Sequence, residues 1–368
     1  MLKSFYGYVF WTLMMIVLSI MLGCDRQSAI DYFGQEPPGS IPKILAPGFI
    51  STEEHGEMAC TFMPDGREFY FTRTDNAPGT QRIMVSRFVN GVWTKPEVAP
   101  FSREYVNLEP HITPDGRRLV FVSERQIQGQ PPLGGNQLWV MERTRYGWGE
   151  PRYIRPGMFA SVALDGTLYY TDMSNWPNPP GIVSSKLVDG EYTESQVLDG
   201  GVNLPMFGAH PCIAPDQSFI IFDSFRRDDQ GGGKKPDLYV SFRKEDGSWG
   251  PALNLGDNIN HTGSNLGASL SPDGKHLFFS SEGDIYWVDA KIIEKLKKES
   301  NPPEGSGVIA FSITPLDGDN EIYTVNADSS GLQQLTDHQG RDCTPSWSPD
   351  SKKLRFPHFV TVNSKSIS

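Results

Sequence analysis

The sequence lacks the motifs by which many hydrolases and nucleotide-binding enzymes are recognised. It has no G-x-S-x-G nucleophile elbow, no H-E-x-x-H zinc motif and no G-x-x-x-x-G-K-[ST] phosphate loop. Basic residues are also few, with 33 Lys and Arg against 44 Asp and Glu, which gives a formal net charge of −11. Because binding to nucleic acid needs a basic surface, nucleic acid is not a predicted partner. The acidity itself indicates solubility.

Cysteine is rare as well, with four residues in 368. Cys24 falls at a predicted processing site, discussed below. Cys60, Cys212 and Cys343 lie far apart, with no C-x-x-C pair and no histidine at metal-ligand spacing. The odd number of these three cysteines argues against a full disulfide framework, and buried small side chains are the favoured interpretation.

A short turn motif recurs along the chain. The copies centre on the aspartates Asp65, Asp115, Asp165, Asp216, Asp273 and Asp350. In the clearest copies Pro presets φ, Asp bonds to nearby backbone, and Gly takes the positive φ that closes a hairpin. Successive aspartates are 50, 50, 51, 57 and 77 residues apart. A repeat of about 50 residues is typical of propeller blades.

Each repeat carries four β-rich runs joined by tight turns. In the first repeat the predicted strands are Met58–Met63, Glu68–Thr72, Ile83–Phe88 and a segment around Trp93–Val98. The dipeptide Asn90-Gly91 is a strong hairpin signal between the last two. The sequence therefore predicts an all-β chain, a β-propeller of four-stranded antiparallel blades.

Blade number and ring closure follow from the repeat count and the chain ends. Six turn motifs favour six blades, while five closed blades plus an appendage, or seven blades, remain alternatives. The segment Pro42–Pro47 resembles Pro96–Pro100, the outer segment of the first repeat. Because a propeller has to pair its ends, this N-terminal segment is expected to supply the outer strand of the last blade.

Two columns of residues precede the turns. Two residues before the turn Pro, or Leu164 in its place, stand apolar side chains that should pack against the neighbouring blade: Phe62, Ile112, Val162, Ile213, Leu270 and Trp347. One position earlier stand small or polar side chains, which period-two alternation directs to the other face. Because the first strand of each blade is innermost, these should line the central channel.

The N-terminus carries an export signal. A short basic start precedes the apolar run Val9–Leu22, and Gly23-Cys24 follows directly. The segment Ile20–Cys24 resembles a bacterial lipobox, although Leu22 stands where a small residue is usual. The alternative is a transmembrane anchor. The expected organisation is a lipoprotein-type signal peptide over 1–23, a tether over 24–40, blades over 41–300 and further repeats over 301–368, which complete the propeller or are appended to it.

The repeat motifs resemble a known family. The segment Leu270–Phe279 is similar to the TolB-type, WD-like repeat of exported bacterial propellers, and so are segments within 320–350. The resemblance covers about residues 41–356 and implies the propeller fold. It also implies a binding or scaffolding role, since TolB-like proteins act chiefly in that way, while some relatives are propeller domains of peptidases or lyases.

Candidate site residues lie just upstream of the inner-strand cores, where acid, amide and imidazole groups from different blades could converge. They are Glu57, Glu109, His111, His210, Asn265 and Asp342. The alternative is that these groups bond to neighbouring backbone and the channel holds water. Glu109, His111 and His210 have ligand types that suit zinc or manganese, but their spacing assigns no metal, and no cofactor is predicted.

The sequence thus predicts a monomeric, exported propeller, held to a bacterial membrane by a lipid at Cys24 and placed in the periplasm or at the cell surface. It would act as a non-enzymatic module that binds an envelope protein, a peptide or a glycan. The alternative function is a carbohydrate-active lyase or hydrolase that uses the channel Glu and His residues.

Overall fold

The computed structural model describes residues 30–359 except 76, 78, 128, 130–135, 176–179, 204–207, 226–234, 261–262, 301–307, 314–319, 327–330, 337–340, 343, 348–353 and 356–357. The chain forms two compact units, which meet in sequence between Ile293 and Glu294. The export signal and Cys24 lie outside the described residues. Within the described part, no helix is long and apolar enough to cross a lipid bilayer.

The described part of the first unit consists of strands, one 3-10 turn, Pro100–Ser102, and the first residues of a helix that continues into the second unit. A short strand, β1 (Lys43–Ile44), comes first. The next two groups of strands are β2 (Gly56–Phe62), β3 (Glu68–Thr74), β4 (Arg82–Val89), β5 (Val92–Trp93) and β6 (Glu97–Val98), then β7 (Asn107–Ile112), β8 (Arg118–Ser123), β9 (Gln137–Thr144), β10 (Gly147–Trp148) and β11 (Arg152–Pro156).

Three more groups follow. The third is β12 (Met158–Val162), β13 (Leu168–Asp172), β14 (Gly181–Ser185), β15 (Leu187–Val188), β16 (Glu191–Tyr192) and β17 (Gln196–Val197). The fourth is β18 (Ala209–Ile213), β19 (Phe219–Phe225), β20 (Pro236–Phe242) and β21 (Leu253–Asn254). The fifth is β22 (Asn265–Leu270), β23 (His276–Ser281) and β24 (Asp284–Asp289).

Each group is one antiparallel blade. From the centre outward the orders are β2-β3-β4-β6, β7-β8-β9-β11, β12-β13-β14-β17, β18-β19-β20-β21 and β22-β23-β24-β1. We call β2, β7, β12, β18 and β22 the inner strands, and β3, β8, β13, β19 and β23 the second strands. The prediction of four-stranded antiparallel propeller blades is confirmed.

The ring closes with five blades. Strand β1 pairs with β24, with Lys43 opposite Trp287 and Ile44 opposite Tyr286. The prediction that Pro42–Pro47 supplies the outer strand of the last blade is therefore confirmed. The Glu57 N–H donates to the Gly283 carbonyl at 2.7 Å, which joins blade one to blade five. The count of six blades was wrong, because the sixth turn motif, around Asp350, belongs to the second unit; five is the alternative that holds.

Four residues of the apolar column, Phe62, Ile112, Val162 and Ile213, pack in clusters between blades, as expected, whereas Leu270 lines the central cavity. Phe62 of blade one lies in a core cluster with Phe278 and Trp287 of blade five. Ile112 of blade two lies in a cluster with Tyr70 and other residues of blade one. Burying a side chain of this size contributes about 1.5–3 kcal/mol, so contacts between blades account for much of the ring's stability.

The turn motifs have the local bonding that their residues suggest. The Oδ1 atoms of Asp65 and Asp115 each accept the backbone N–H two residues on, at 3.0 Å. Gly66 and Gly116 take φ of 70° and 69°, a conformation that disfavours other residues. Each aspartate therefore stabilises a hairpin.

The segment before β1 is packed from residue 30 on. Tyr32 is buried in the core cluster between blades five and one, and Ile30 and Phe33 pack against that cluster. The Gln35 amide bonds to the Ile44 carbonyl and the Ala46 N–H, both at 2.9 Å. Residues 30–35 fall within the range expected to be a tether, but aromatic burial holds them against the propeller.

The second unit is smaller. Helix α1 (Lys291–Ser300) crosses the boundary between the units. Its remaining strands are β25 (Val308–Ile313), β26 (Glu321–Asn326), β27 (Gln333–Gln334), β28 (Arg341–Asp342), β29 (Ser346–Trp347), β30 (Leu354–Arg355) and β31 (His358–Phe359). The first three form one sheet, and β28 pairs with β31 and β29 with β30.

Candidate functional site: the central channel

Every inner strand carries one residue in the left-handed region. These residues stand five positions before the turn Pro, or Leu164, and have φ between 44° and 63°: Ala59, Glu109, Phe159, His210 and Gly267. The pairing register between inner and second strand shifts at the same place in all five blades. We call them the bulge residues. Two candidates from the sequence, Glu109 and His210, are therefore bulge residues.

The N–H of each bulge residue is bonded to the preceding blade. In four of the five cases the acceptor is a side-chain oxygen on the second strand of that preceding blade. The donor and acceptor atoms are Glu109 N and Thr72 Oγ1 (2.8 Å), His210 N and Thr171 Oγ1 (3.0 Å), Gly267 N and Asp223 Oδ1 (3.2 Å), and Ala59 N and Ser280 Oγ (3.0 Å). These bonds satisfy buried donors that strand pairing leaves free.

Blade two departs from this pattern. The position equivalent to Thr72 on its second strand is Val122, which has no acceptor. Instead, Glu109 Oε2 accepts the N–H of Phe159, the next bulge residue, at 2.7 Å. The carboxylate of Glu109 therefore does what a hydroxyl does elsewhere in the ring. Burial raises the pKa of Glu109, opposed by the His210 charge and the Phe159 N–H.

A second set of bonds links the inner strands closer to the turns. Thr61 Oγ1 accepts the N–H of Ile112 at 3.2 Å, and Ser161 Oγ accepts that of Ile213 at 3.0 Å. His111 occupies the same position, and its Nε2 accepts the Val162 N–H at 3.0 Å. An imidazole that accepts at Nε2 is neutral and carries its proton on Nδ1. Burial lowers the pKa of His111 to about 4.

His210 has the opposite charge preference. Burial alone would lower its pKa, but Asp223, whose Oδ1 lies 2.8 Å from His210 Nδ1, and the nearby Glu109 raise it to about 9. The cation is thus held between two carboxyl groups. Because both carboxyls also accept bulge N–H groups, this cluster of three residues supports the backbone of blades three and five.

One aromatic ring closes the channel at the level of the bulges. A Cβ built on Gly267 would lie 2.9 Å from Cε2 of Phe159, two blades away. The Phe159 ring also meets the His210 ring edge to face, with centroids 5.0 Å apart. Gly267 has no side chain and therefore leaves room for this ring.

Between this ring and the turns lies a central cavity of about 110 Å³, room for several water molecules. Its wall includes the polar column predicted for the channel, Thr61, His111, Ser161, Cys212 and Ser269. The turn prolines line it toward the turn end of the ring: Pro64, Pro114, Pro215 and Pro272. Phe159 and Glu109 line it at the bulge end.

The two described cysteines face this cavity and are free thiols. Burial raises the pKa of both Cys60 and Cys212 to about 12, so neither is a thiolate at neutral pH. Among the described side chains, no three His, Cys, Asp or Glu groups are arranged to hold a metal ion.

Glu109 and His111 line the cavity, whereas His210, Glu57 and Asn265 are not part of its wall. Glu57 is buried, accepts the Thr52 N–H and hydroxyl, and pairs with Arg73 Nε at 2.9 Å. Asn265 is also buried and donates to the Gly263 carbonyl at 3.3 Å. Both therefore bond to the loops that lead into their strands. Asp342 belongs to β28 of the second unit, and its side chain lies outside the description.

The structure thus brings Glu109, His111 and His210 to the channel and separates the other three candidates from them. It also adds Asp223 and Phe159, which the sequence did not single out. For Asp223 a signal existed, because it is a charged residue inside the apolar strand Phe219–Phe225, in register with Thr72 and Ser280. For Phe159 there was none, since an aromatic residue is ordinary in a buried strand.

The described residues up to Ile293 therefore define a five-bladed β-propeller with a central cavity. No family model matches the sequence, and no curated protein matches it. The fold is similar to that of a proposed TolB from Agrobacterium tumefaciens (17% identity, 83% of this chain and 91% of that chain, TM-score 0.42). It is also similar to TolB from Acinetobacter baumannii (17%, 78% and 57%, 0.37) and to a gluconolactonase from Xanthomonas campestris (10%, 69% and 97%, 0.40).

This chain thus spans little more than half of the Acinetobacter TolB. The resemblance to TolB-type propellers, first seen in the repeats, is found again in the structure. At these identities the similarity concerns the fold alone.

Proposed function

We propose that this protein is an exported, lipid-anchored propeller that binds a peptide, a glycan or an envelope protein without catalysing a reaction. The observation that carries the proposal is that ionisable side chains of the channel are already hydrogen-bonded to backbone N–H groups. Glu109 and Asp223 accept bulge N–H groups, and His111 accepts a strand N–H. A general acid or base has to exchange protons with a substrate, and groups used in this way are poorly placed for it.

The chemistry of the cavity supports a binding role. Thr61, Ser161 and His111 each use a lone pair to accept a backbone N–H, and none makes a further hydrogen bond within the described structure. Each of the three therefore keeps one proton that it can donate into the cavity. For Thr61 and Ser161 this is the hydroxyl proton, and for His111 it is the Nδ1 proton. A ligand group rich in oxygen acceptors, such as a sugar or a peptide carbonyl, would suit this set.

The test compares two threonines. Thr61→Val and Thr72→Val both remove an acceptor from a backbone N–H, but only Thr61 lines the cavity. Full-length protein, solubilised in detergent, would be used to capture partners and peptidoglycan fragments from envelope extracts. We expect similar losses of melting temperature and a loss of capture for Thr61→Val alone. Equal capture by both variants would show that the cavity is not the site.

The alternative of a carbohydrate-active lyase or hydrolase is tested with Glu109→Gln. The amide oxygen can still accept the Phe159 N–H, so the fold should be retained, whereas an acid or base would be lost. Turnover of an envelope glycan by the natural protein, abolished in this variant, would favour the enzyme and refute the binding module.

The anchor is a separate part of the proposal. It is supported by the apolar run ending at Gly23-Cys24. The intact mass of the membrane-extracted protein should show a diacylglyceryl group on a chain that begins at Cys24. Cys24→Ser should remove it and release the protein from membranes, whereas an uncleaved, unmodified N-terminus would contradict the anchor.

A further inference from the structure

One end of the propeller is formed by two sets of turns. The turns between inner and second strands lie beside the hairpins that follow the third strands, as shown by the backbone bonds from Phe88 N to the Arg67 carbonyl and from Arg143 N to the Arg117 carbonyl, at 2.8 and 2.7 Å. We call this end the turn face. The cavity opens toward it, since the turn prolines line that part of the wall.

The N-terminal segment is held on this face. Ile30 touches the first turn so closely that a Cβ on Gly66 would lie 2.8 Å from Ile30 Cγ1. The Tyr32 hydroxyl donates to Asp273 of the fifth turn at 3.3 Å. The Trp93 indole, on the hairpin of blade one, donates to the Asp31 carbonyl at 3.1 Å. The chain therefore leaves the described propeller at the turn face.

The distance to the anchor is short. From Cys24 to Ile30 the chain has six steps, which span at most about 22 Å when fully extended. The blades have inner strands of five to seven residues, so the ring is roughly 20 Å thick before its loops are added. A chain leaving the turn face cannot pass around the rim and reach a bilayer on the opposite side. A lipid on Cys24 therefore holds the turn face near the membrane.

Three hairpin tips on this face each carry an exposed apolar or aromatic side chain. Val92, Tyr146 and Val188 stand on the tips of blades one, two and three and are 65%, 85% and 52% exposed. Arg145 lies over the Tyr146 ring, with its guanidinium carbon 4.6 Å from the ring centroid. Exposed aliphatic tips with an aromatic residue and arginine are the side chains found at membrane–water interfaces.

We infer that the turn face of blades one to three lies on the phospholipid surface, with the three hairpin tips in the headgroup layer and the cavity mouth turned toward the lipid. This rests on the proposed lipid anchor. It follows that any occupant of the cavity has to come from the membrane surface, and that the loops at the opposite end of the ring point away from it.

Spin labelling of the full-length lipoprotein tests the orientation. The parent variant is Cys343→Ser, in which Cys60 and Cys212 are buried and should take up no label. Nitroxides are placed by Val92→Cys and Tyr146→Cys on the turn face. The control is Glu282→Cys, in the tight turn between β23 and β24 at the opposite end. Each is reconstituted in vesicles of phosphatidylethanolamine and phosphatidylglycerol.

We expect labels at 92 and 146 to collide more with oxygen than with a water-soluble nickel chelate, and the label at 282 to show the reverse. Equal nickel access at all three sites, with an acylated Cys24 in the mass spectrum, would overturn the orientation and leave the anchor standing. Spin–spin broadening at 92 and 146 would place a second copy on this face and also overturn it. An unmodified Cys24 would overturn both proposals.

Discussion

Replacing Glu109 tests whether its carboxylate is a structural acceptor or a reactive group. In Glu109→Ala the N–H of Phe159 loses its acceptor, and the neighbouring Val122 cannot replace it. A buried donor without a partner costs about 1–3 kcal/mol of unfolding free energy. For a domain of this size, 1 kcal/mol corresponds to a change of roughly 2–4 °C in melting temperature.

The ring itself suggests the rescue. In blade one, Thr72 stands at the position that Val122 occupies in blade two, and its hydroxyl accepts the N–H of the bulge residue Glu109 at 2.8 Å. Val122→Thr places the same hydroxyl beside the Phe159 N–H. In the Glu109→Ala background we expect it to restore about 1 kcal/mol. In the natural background the N–H is already bonded to Glu109, so the added hydroxyl should destabilise instead. The two substitutions should therefore be coupled by about 1–2 kcal/mol.

The assay is urea unfolding of the four proteins of this cycle, followed by far-ultraviolet circular dichroism at constant slope. Glu109→Gln is the matched control and should unfold at a higher urea concentration than Glu109→Ala, because its amide oxygen remains an acceptor and only the charge beside His210 is lost. Two results would refute the reasoning. One is strict additivity of the two substitutions, and the other is a Glu109→Ala variant as stable as the natural protein.

Three further predictions follow from the same residues. The raised pKa of His210, about 9, gives stability that is complete below its ordinary pKa of 6.5 and is lost as pH rises through 9; the lowered pKa of His111, about 4, gives stability that is lost as pH falls from 6.5 to 4. Each is worth up to about 3 kcal/mol, and unfolding measured from pH 4 to 9 should show both limbs, with the alkaline one reduced in His210→Gln. Gly267→Ala should lower the unfolding free energy by more than about 1 kcal/mol, because the added Cβ would lie 2.9 Å from the Phe159 ring and the φ is 63°. Ala59→Gly, at the same position of blade one with a φ of 45°, should raise it by up to about 1 kcal/mol in the same urea assay. Asp273→Ala should cost about 1 kcal/mol of unfolding free energy and leave partner capture unchanged, because among the described residues its Oδ1 bonds within its own turn and to Tyr32 of the N-terminal segment. Lost capture at an unchanged melting temperature would contradict this.

The repeat allowed much of the fold to be predicted, because local chemistry determines its turns. In the first repeat, β3 begins at Glu68 as predicted and ends at Thr74, two residues beyond the predicted end. Strand β4 extends the predicted Ile83–Phe88 by one residue at each end. Pro, Asp and Gly act through their own backbone angles and bonds, which need no information from elsewhere in the chain. The closing strand could also be predicted, because β1 is the outer strand of blade five and its segment Pro42–Pro47 resembles Pro96–Pro100, the outer segment of blade one.

The number of blades depends on a different kind of information. The sixth motif, around Asp350, has the Pro and Asp of the clear copies with Ser351 in place of Gly, and Thr344 has a φ of 47°, within the range found at the bulges. What separates it is that blade five already pairs with β1. Closure is decided by contacts between residues about 240 positions apart, which a count of motifs does not contain.

The role of the channel residues was the hardest to predict, because no sequence pattern marks the bulge positions. Positive φ in a non-glycine residue costs of the order of 1–2 kcal/mol, and the inner strands place Ala, Glu, Phe and His there, with no common side chain to mark the position. The partner that makes each bulge tolerable comes from another blade, as Glu109 and Phe159 show at a separation of 50 residues. A carboxylate beside two histidines is a natural candidate for chemistry in the sequence. In the ring it replaces a threonine hydroxyl that blade two lacks at Val122, and that substitution is visible only when the five blades are superposed.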